Sequence, residues 1–494
     1  MEVNIPALME ALKKSERISD PRMPDALAKA TFSQSNSATT GLTFYDLESG
    51  AKFLYPVLTP LRNMIPRVSG RGGIQANWKA VTGVNTTNLG IGVDGGKRGG
   101  VMAVSTADYN AAYKGIGIEN SVDFEAVYAA QNLIDVRAVA GRTGLEALML
   151  GEEAVLLDGN GSLQLGTCPT PSLVSSITGG AIATGTTYSV RAVALTGDGY
   201  RRASVAAGVS GSISRTNADG TTTTYGGGSS QASTAATTTI ASGSAGSIAA
   251  SVAAVRGAQA YAWYIGVGGS ELLAAITTVP KYLFIASAAG TQNASALSAD
   301  NSTNTTIFDG LITQAFKTGS NAYWVDLGGA TLTGDGVGGV VEIDAALKNR
   351  WDNYRLSPDT IWVSSQTAQD ISKKILAGNA NGAFRINIDM KQGMMAGGVM
   401  VTTYLNKFSM AGAKSLDILI HPNILAGTIL MTSKTLPYPL SNVGNLFQVL
   451  CRQDYYQIEW PLRTRSYEYG VYSDEVLQHY APFSMCLITG IGAG

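Results

Sequence analysis

The stretch SVDFEAVYAAQNLIDVRAVAGRTGLEALMLGEEAVLLD, residues 121–158, decides the fold. Apolar residues recur in it at helical spacing from Val127 to Met149. Acids and amides occupy the other face of its first half. Ser121 or Asp123 can cap the start, and Gly159 can stop the helix. The pattern therefore predicts one long helix of about 55 Å, which must lie across a wide body to bury its apolar stripe.

Two features of this stretch carry further expectations. Gly141 and Gly144 each cost roughly 1 kcal/mol against alanine inside a helix, so we expect a bend or break there. The acid pair Glu152 and Glu153 is expected on the solvated helix surface. The alternative interpretation of the whole stretch is simply a long core helix.

The composition excludes several classes of protein. With 494 residues, the chain is expected to hold two to four domains. Its 35 basic and 36 acidic residues nearly cancel, so it is not built as a strong polyanion binder. Only 14% of residues are charged, which favours a protein that buries surface against its own copies. Three scattered cysteines argue against a disulfide framework, and we expect neither a signal peptide nor a membrane span.

The first hundred residues indicate an extended arm followed by a hairpin. A short helix is predicted around Ile5–Arg17, and the small polar residues 28–41 predict an extended segment. Strict alternation then begins at Ile74, and a second strand is predicted near Val101. The tip between them, TNLGIGVDGGKRGG (87–100), fails as a phosphate loop because Ile91 stands where its first glycine must lie.

From Gly159 to about Thr318 the chain is rich in Gly, Ser, Thr and Ala. Short apolar runs separated by glycine-rich loops predict an all-β, Ig-like sandwich, with a disordered spacer as the alternative. The predicted strands are Thr186–Leu195, Ala260–Gly266, Glu271–Val279 and Lys281–Ser287.

Charge and helical periodicity return after Gly339. Helices are predicted over Glu342–Tyr354 and Gln366–Ala377, and Ser364 or Ser365 caps the second. Strands are predicted near 400–403, 415–420 and 428–431, and the last fifty residues are strand-rich. The sandwich is thus predicted to be inserted into a single α+β body.

This order of elements resembles the major capsid proteins of tailed bacteriophages, the Hong Kong 97 fold. Residues 65–118 resemble that family's E-loop, 123–158 its spine helix, 357–378 its axial-domain unit and 445–491 its returning strands. The division that follows is an N-terminal arm (1–64), an E-loop hairpin (65–120), a spine helix and peripheral domain (121–165), the inserted Ig-like sandwich (166–318), and an axial domain with returning peripheral strands (319–494).

The resemblance implies a function, partners and contact residues. It implies a virion capsid protein, assembled in the host bacterial cytoplasm, that forms hexamers and pentamers of an icosahedral shell around double-stranded DNA. It also implies a separate scaffolding protein, a portal, a decoration protein and non-specific contact with the packaged DNA. The hairpin face with Ile74, Ala76 and Trp78 should find its partner on a neighbouring subunit. The predicted inter-subunit contact residues are Arg67, Arg71, Trp78, Lys79, Lys97 and Arg98.

The sequence offers little that indicates an enzyme. It has two histidines, His421 and His479, and neither lies in the sequence context of a nucleophile elbow; His479 is expected at a rim or in the core. No metal-ligand spacing occurs, so we expect no catalytic residue, metal or cofactor. Two alternatives remain: a tail or adhesin-type surface-binding protein, and a cargo-enclosing shell of the encapsulin kind.

Overall fold

A computed structural model describes residues 52–70, 72–85, 102–131, 134–241, 246–377, 400–409, 414–462 and 464–493. Tyr55–Phe124 and Arg137–Gly494 form one compact unit, and the contacts described below lie within it. The other unit comprises Met1–Leu54 and Glu125–Val136. The predicted helix Ile5–Arg17 and the polar arm 28–41 lie outside the described residues.

A four-stranded sheet carries the hairpin and the long helix. Its strand order is β1-β19-β20-β4, and β1 runs parallel to β19 while the other pairs are antiparallel. The hairpin is a separate two-stranded sheet of β2 and β3, placed along the chain between β1 and β4. The strands are β1 (Arg67–Ser69), β2 (Gln75–Asn85), β3 (Ala103–Ala112), β4 (Lys114–Asp123), β19 (Phe447–Glu459) and β20 (Ser466–His479).

The prediction of one long helix over 121–158 is wrong for the first part of this stretch. Residues up to Asp123 belong to β4, a short helix α2 spans Phe124–Ala129, and the main helix α3 is Val136–Asp158. The backbone up to Asp123 pairs with β20, and this tertiary pairing overrides the local helical pattern.

The helix continues through both glycines rather than breaking at them. A Cβ built on Gly144 would overlap the Asn120 side chain, which donates to the Ala140 carbonyl at 3.2 Å. Glycine at this position therefore permits close approach of the sheet. Gly141 has open space around it, so the structure gives no packing reason for that glycine.

A second, six-stranded sheet forms a layered core. Its strand order is β14-β21-β18-β15-β17-β16. Ile361 and Val363 of β15 pack towards helices α6 and α7, whereas Trp362 between them packs towards α3 and α5. Both faces are thus buried, so the strand reads as a continuous apolar run. The elements are α5 (Leu311–Phe316), β14 (Tyr323–Asp326), α6 (Val341–Tyr354), β15 (Thr360–Val363), α7 (Ser365–Ala377), β16 (Thr403–Asn406), β17 (Lys414–Ile420), β18 (Ile429–Thr432) and β21 (Cys486–Thr489).

Most predicted elements of this region are confirmed. Both predicted helices are present as α6 and α7, and Ser364 Oγ accepts from the Thr367 N–H at 3.2 Å, as expected of a cap. The strand predicted near 400–403 begins at Thr403 instead. The predicted α+β class is confirmed.

The segment that lies along the chain between β4 and β14 contains a β-sandwich. One sheet has the order β13-β10-β5 and the other β12-β11-β6-β9, and they share a core that contains Trp263, Tyr261 and Phe284. A further hairpin consists of β7 and β8. All four predicted strands are present. The elements are β5 (Ser172–Ser176), β6 (Thr187–Leu195), α4 (Gly197–Arg202), β7 (Ser212–Thr216), β8 (Thr222–Gly226), β9 (Ala236–Thr239), β10 (Ser247–Ser251), β11 (Ala260–Gly266), β12 (Leu272–Thr277) and β13 (Lys281–Phe284).

The strand order of this sandwich is not that of an immunoglobulin domain. Leaving the β7–β8 hairpin aside, its first, fourth and seventh strands form one sheet and its other four strands form the second. An immunoglobulin constant domain instead pairs its first, second, fifth and fourth strands. The sandwich is therefore observed, and the Ig-like description is not confirmed.

The sandwich is attached to the body by buried contacts. Arg201 of α4 forms a bidentate pair with Asp158 at the end of α3, with nitrogen–oxygen distances of 2.7 and 2.8 Å. Leu425 of the body packs into the apolar cluster that contains Val193 and Tyr264. Buried contacts therefore join the sandwich to the rest of the compact unit.

The sequence predicted neither a disulfide framework nor a membrane span. All three cysteines are buried thiols. Among the described residues, no helix has both the length and the apolar character that crossing a membrane requires.

Candidate functional site

The hairpin of β2 and β3 is an amphipathic ribbon in its inner half. Side chains of Ala76, Trp78 and Ala80 lie on one face with their cross-strand partners on β3, and all are partly buried. Lys79 and its partner Asp108 lie on the opposite face, where they form an exposed ion pair at 3.5 Å. Such a pair contributes about 0–1 kcal/mol, so the inner face carries the packing.

This inner face rests on its own chain. Trp78 stacks on Tyr109 across the hairpin, with ring centroids 5.9 Å apart, and meets Tyr480 edge to face at 6.0 Å. A cavity of about 510 Å³ lies beside these rings and is also lined by His479 and Phe308. These aromatic contacts lie within one chain, and a contact of the Trp78 face with a neighbouring subunit stays a prediction.

The outer half of the hairpin has a different character. A register shift between Val81 and Gly83 interrupts the regular pairing, and Val84 then lies opposite Val104. Val81, Val84, Met102 and Val104 are each about half exposed or more. The two strands of the hairpin pair only with each other among the described strands. The described part of the outer hairpin therefore presents exposed apolar side chains that pair with no other described strand.

The hairpin leaves the sheet at a buried ion cluster, which we call the root cluster. Arg67, the first residue of β1, donates to three carboxylates: Glu475 at 2.7 Å, Asp454 at 2.6 Å, and Glu152. Its guanidinium also lies 4.4 Å from the centre of the Tyr455 ring. The root cluster consists of Arg62, Arg67, Glu152, Asp454, Tyr455 and Glu475.

The electrostatics of the root cluster follow from burial. Glu152 and Glu475 are almost completely buried, and both face Arg67. Burial, aided by the charge of Glu152 and opposed by Arg67, raises the pKa of the Glu475 carboxyl to about 6. Burial lowers the pKa of Arg67, but the hydrogen bond to Asp454 and the neighbouring carboxylates together raise it by more, so its charge is permanent. Among the described residues, removing this guanidinium would leave the buried Glu475 without its paired cation, whereas Glu152 would keep its ion pair with Arg62 at 3.2 Å.

A second buried contact fixes the segment before β1. Glu153 accepts the backbone N–H groups of Leu61 and Arg62 at 2.8 and 2.7 Å, at the start of the short helix α1 (Pro60–Met64). His421 Nε2 lies 2.6 Å from the same carboxylate. His421 Nδ1 accepts from the Asn423 N–H, so the ring proton lies on Nε2 and is donated to Glu153. Two consecutive residues of α3 thus bind the segment before the hairpin: Glu153 binds α1, and Glu152 binds Arg67 of β1.

These contacts correct the expectation for Glu152 and Glu153. Both were expected on a solvated surface, yet both are buried and hold the segment at the base of the hairpin. Their burial could have been predicted from the sequence, because they lie three or four residues from Leu148, Leu156 and Leu157 and so share the apolar face of the helix. A charged pair on an apolar stripe indicates buried partners.

The predicted contact residues fall into three groups. Arg67 bonds to carboxylates of its own chain at the base of the hairpin, and its contact with a neighbouring subunit stays a prediction. Trp78 and Lys79 lie on the two faces of the hairpin. Arg71, Lys97 and Arg98 lie outside the described residues. His479 is a core residue as expected, and burial lowers its pKa to about 3, so the ring is neutral.

Among the residues that the structure describes, no group of three or more His, Cys, Asp or Glu side chains is placed to hold a metal ion. His421 and His479, the two histidines, are both buried. What the described hairpin and the root cluster provide is a ribbon whose base is held by ion pairs and whose outer strand residues are apolar and exposed.

Comparison with known proteins gives likeness at the level of the fold. No family model matches the sequence, and no curated protein matches it. The chain is similar to the capsid of a native GTA particle (TM-score 0.40, 8% identity, 91% of this chain and 96% of that chain). It is also similar to the capsid of Myoviridae phage XM1 (TM-score 0.38, 10% identity, 91% and 95%). A third similar structure is the SrpI encapsulin of Synechococcus elongatus (TM-score 0.38, 8% identity, 90% and 93%). At this level of identity the likeness by itself assigns neither a function nor a partner.

Proposed function

We propose that this chain is the subunit of a closed protein shell, the major capsid protein of a tailed phage. In this proposal, copies assemble as hexamers and pentamers of an icosahedral shell that encloses double-stranded DNA. A scaffolding protein, a portal and a decoration protein would act as separate partners, and the assembled chain would reside in the virion.

The observation that carries the proposal is the distal hairpin. A two-stranded hairpin is marginal in water by itself, and here its outer half exposes Val81, Val84, Met102 and Val104. An apolar surface on a projecting element is typical of an interaction site. Because the chain has few charges and its basic and acidic residues nearly cancel, another copy of the same chain is a suitable partner.

The root cluster supports the same function. A projection can transmit force between subunits only if its base is held firmly. Arg67 and Glu153 hold that base through buried, charge-assisted hydrogen bonds, which are stronger than neutral ones. The combination of an anchored base and an open apolar end suits a contact repeated many times in a shell.

Contact with the packaged DNA would be weak. With 35 basic and 36 acidic residues, the chain supplies few uncompensated cations for phosphate groups. The affinity of the unassembled protein for duplex DNA should therefore be low and should fall steeply with salt.

Particle size is the test of the proposal. The purified full-length protein, expressed alone and together with a candidate scaffolding protein, should yield capsomers or closed shells in sedimentation and electron microscopy. Stable monomers or trimers under both conditions would contradict it and would favour a tail or adhesin component. Shells that enclose protein cargo and no DNA in the native host would favour an encapsulin-like compartment.

A further inference from the structure

A flat aromatic platform lies on the face of the four-stranded sheet that points away from α3. Asn120 and Tyr469 are cross-strand partners, and both bond to backbone carbonyls of α3. Side chains alternate along a strand, so the neighbouring Glu119 and Gly470 point to the opposite face. Tyr472 and Trp460 share that face, since Tyr472 is two residues beyond Gly470 and Trp460 pairs with Glu468.

Glycines allow one ring of this platform to lie flat. A Cβ built on Gly117, or on Gly470, would overlap the Tyr472 ring. The ring therefore lies across its own strand and the adjacent β4, in space that other residues would fill. Tyr456 continues the platform, with its ring centroid 5.6 Å from that of Tyr472.

A single carboxylate orients the two outer rings. Glu119 accepts from Trp460 Nε1 at 3.1 Å and from the Tyr472 hydroxyl. Burial and this hydrogen bond raise the pKa of Tyr472 to about 12, so the phenol keeps its proton and donates it. Trp460 remains 37% exposed, and its ring is available to a ligand.

The platform forms one wall of a cleft of about 690 Å³. The opposite wall is the turn of the β7–β8 hairpin, residues 215–219, which the inserted sandwich contributes. Among the described residues that line the cleft, three carry carboxylates (Glu119, Glu468 and Asp219) and one, Arg215, carries a cation. The Arg215 Nε donates to Asn217 at 3.3 Å, on the hairpin side. The cleft is thus acidic and aromatic.

We propose that this cleft binds a guanidinium group. A guanidinium is planar, stacks on Trp and Tyr faces, and presents a fork of donors that matches a carboxylate. Glu468 lies beside Trp460 on the platform and is the acceptor that we assign to this fork. A phosphate or nucleic acid ligand would meet repulsion from the three carboxylates, and an ammonium would use the flat ring surface less well.

The guanidinium could belong to an arginine side chain of a second copy or to a free guanidino compound. The two sources would present the same guanidinium to the cleft, and an assembly assay distinguishes between them. The inference does not depend on the proposed shell function, because binding is measured on the unassembled protein.

The test uses arginine amide as the probe and citrulline amide as its neutral isostere. Binding is followed on the full-length protein by the indole N–H resonance of Trp460, which is assigned by its absence in Trp460→Phe. We expect arginine amide to shift this resonance saturably, and citrulline amide to bind at least about tenfold more weakly.

Two substitutions localise the effect. Glu468→Gln should lower the affinity for arginine amide by about tenfold or more, and the protein should keep its melting temperature. The control is Glu459→Gln, one residue from Trp460 but on the opposite face, where Glu459 pairs with Arg137 at 3.0 Å; it should leave binding unchanged. Equal binding of both probes, absence of any shift, or equal loss in both variants would overturn the inference.

A final arm identifies the source of the group. If arginine amide binds and also slows assembly in a dose-dependent way, the guanidinium comes from an arginine of a neighbouring copy. If it binds and leaves assembly unchanged, the ligand is a free guanidino compound. Failure of assembly in the absence of any probe would count against the proposed function and not against this cleft.

Discussion

Replacing Arg67 by alanine tests whether the base of the hairpin is held electrostatically. The substitution removes a guanidinium that bonds to Glu475, Asp454 and Glu152, and the first and last of these carboxylates are buried. Breaking one partner from a buried ion pair costs about 3–5 kcal/mol. We expect the free energy of unfolding to fall by about 3 kcal/mol at pH 7.

The pH dependence of this loss can be worked from Glu475. Its pKa is about 6 in the fold against 4.5 for the free residue. The fold therefore binds more protons than the unfolded chain between these values, and the stability contributed by this group rises as pH falls through that window. Because the charge of Arg67 opposes the upward shift, removing Arg67 should raise the pKa of Glu475 further and widen the pH range over which the fold binds this additional proton.

The part of the loss that comes from Glu475 should therefore be larger at pH 7 than at pH 5, where the group is protonated in both proteins.

Urea unfolding of the unassembled protein, followed by tryptophan fluorescence at pH 7 and pH 5, measures both quantities. Arg137→Ala is the control, because its pair with Glu459 is exposed on both sides and should contribute less than about 1 kcal/mol. A loss below about 1 kcal/mol for Arg67→Ala at pH 7, or an equal loss at the two pH values, would refute the reasoning.

Two further predictions concern α3 and its end. Gly144→Ala should lower the melting temperature because the new Cβ overlaps the Asn120 side chain. Gly141 lies in open space, so Gly141→Ala should raise the free energy of unfolding by about 0.5–1 kcal/mol; equal effects of the two substitutions in thermal melting would contradict this. Arg201→Ala should cost about 3–5 kcal/mol by leaving the buried Asp158 carboxylate unpaired, while the half-exposed Arg202→Ala should cost less than about 1 kcal/mol; similar urea midpoints for the two variants would show that the sandwich is not held by this pair.

Much of the fold could be predicted from periodicity alone. Helices α6 and α7 and the strands β6 and β11 lie within a residue or two of their predicted bounds, because each is a strongly patterned run bounded by turn residues. The hairpin was predicted from its strict alternation. Strands β5, β7, β8, β9 and β10 were missed, since they consist mainly of Ser, Thr and Ala, which give no contrast between a buried and an exposed face.

Other features depend on tertiary contacts that local sequence does not record. The segment up to Asp123 is helical by pattern, yet it pairs with β20, which lies more than 300 residues further along the chain. The sandwich was predicted, but its strand order is a matter of long-range pairing that alternation cannot specify.

The candidate site divides in the same way. Trp78 and Lys79 were identified because they stand out in an alternating strand. Glu475 and Asp454 were missed, since they meet Arg67 only after β1, β19 and β20 have paired. Arg67 was identified as a cation near the hairpin, but its role follows from partners remote in sequence.

The most direct measurement of the central claim is the assembly of a variant with a charge on the distal hairpin. Val84→Asp places a carboxylate on an exposed strand valine, and Val174→Asp does the same on the inserted sandwich as a matched control. Both variants should keep the melting temperature of the unassembled protein. Sedimentation velocity should show shells or capsomers for the native chain and for Val174→Asp, and only dissociated subunits for Val84→Asp. Normal particles from Val84→Asp would contradict the claim that the open end of the hairpin joins one subunit to the next.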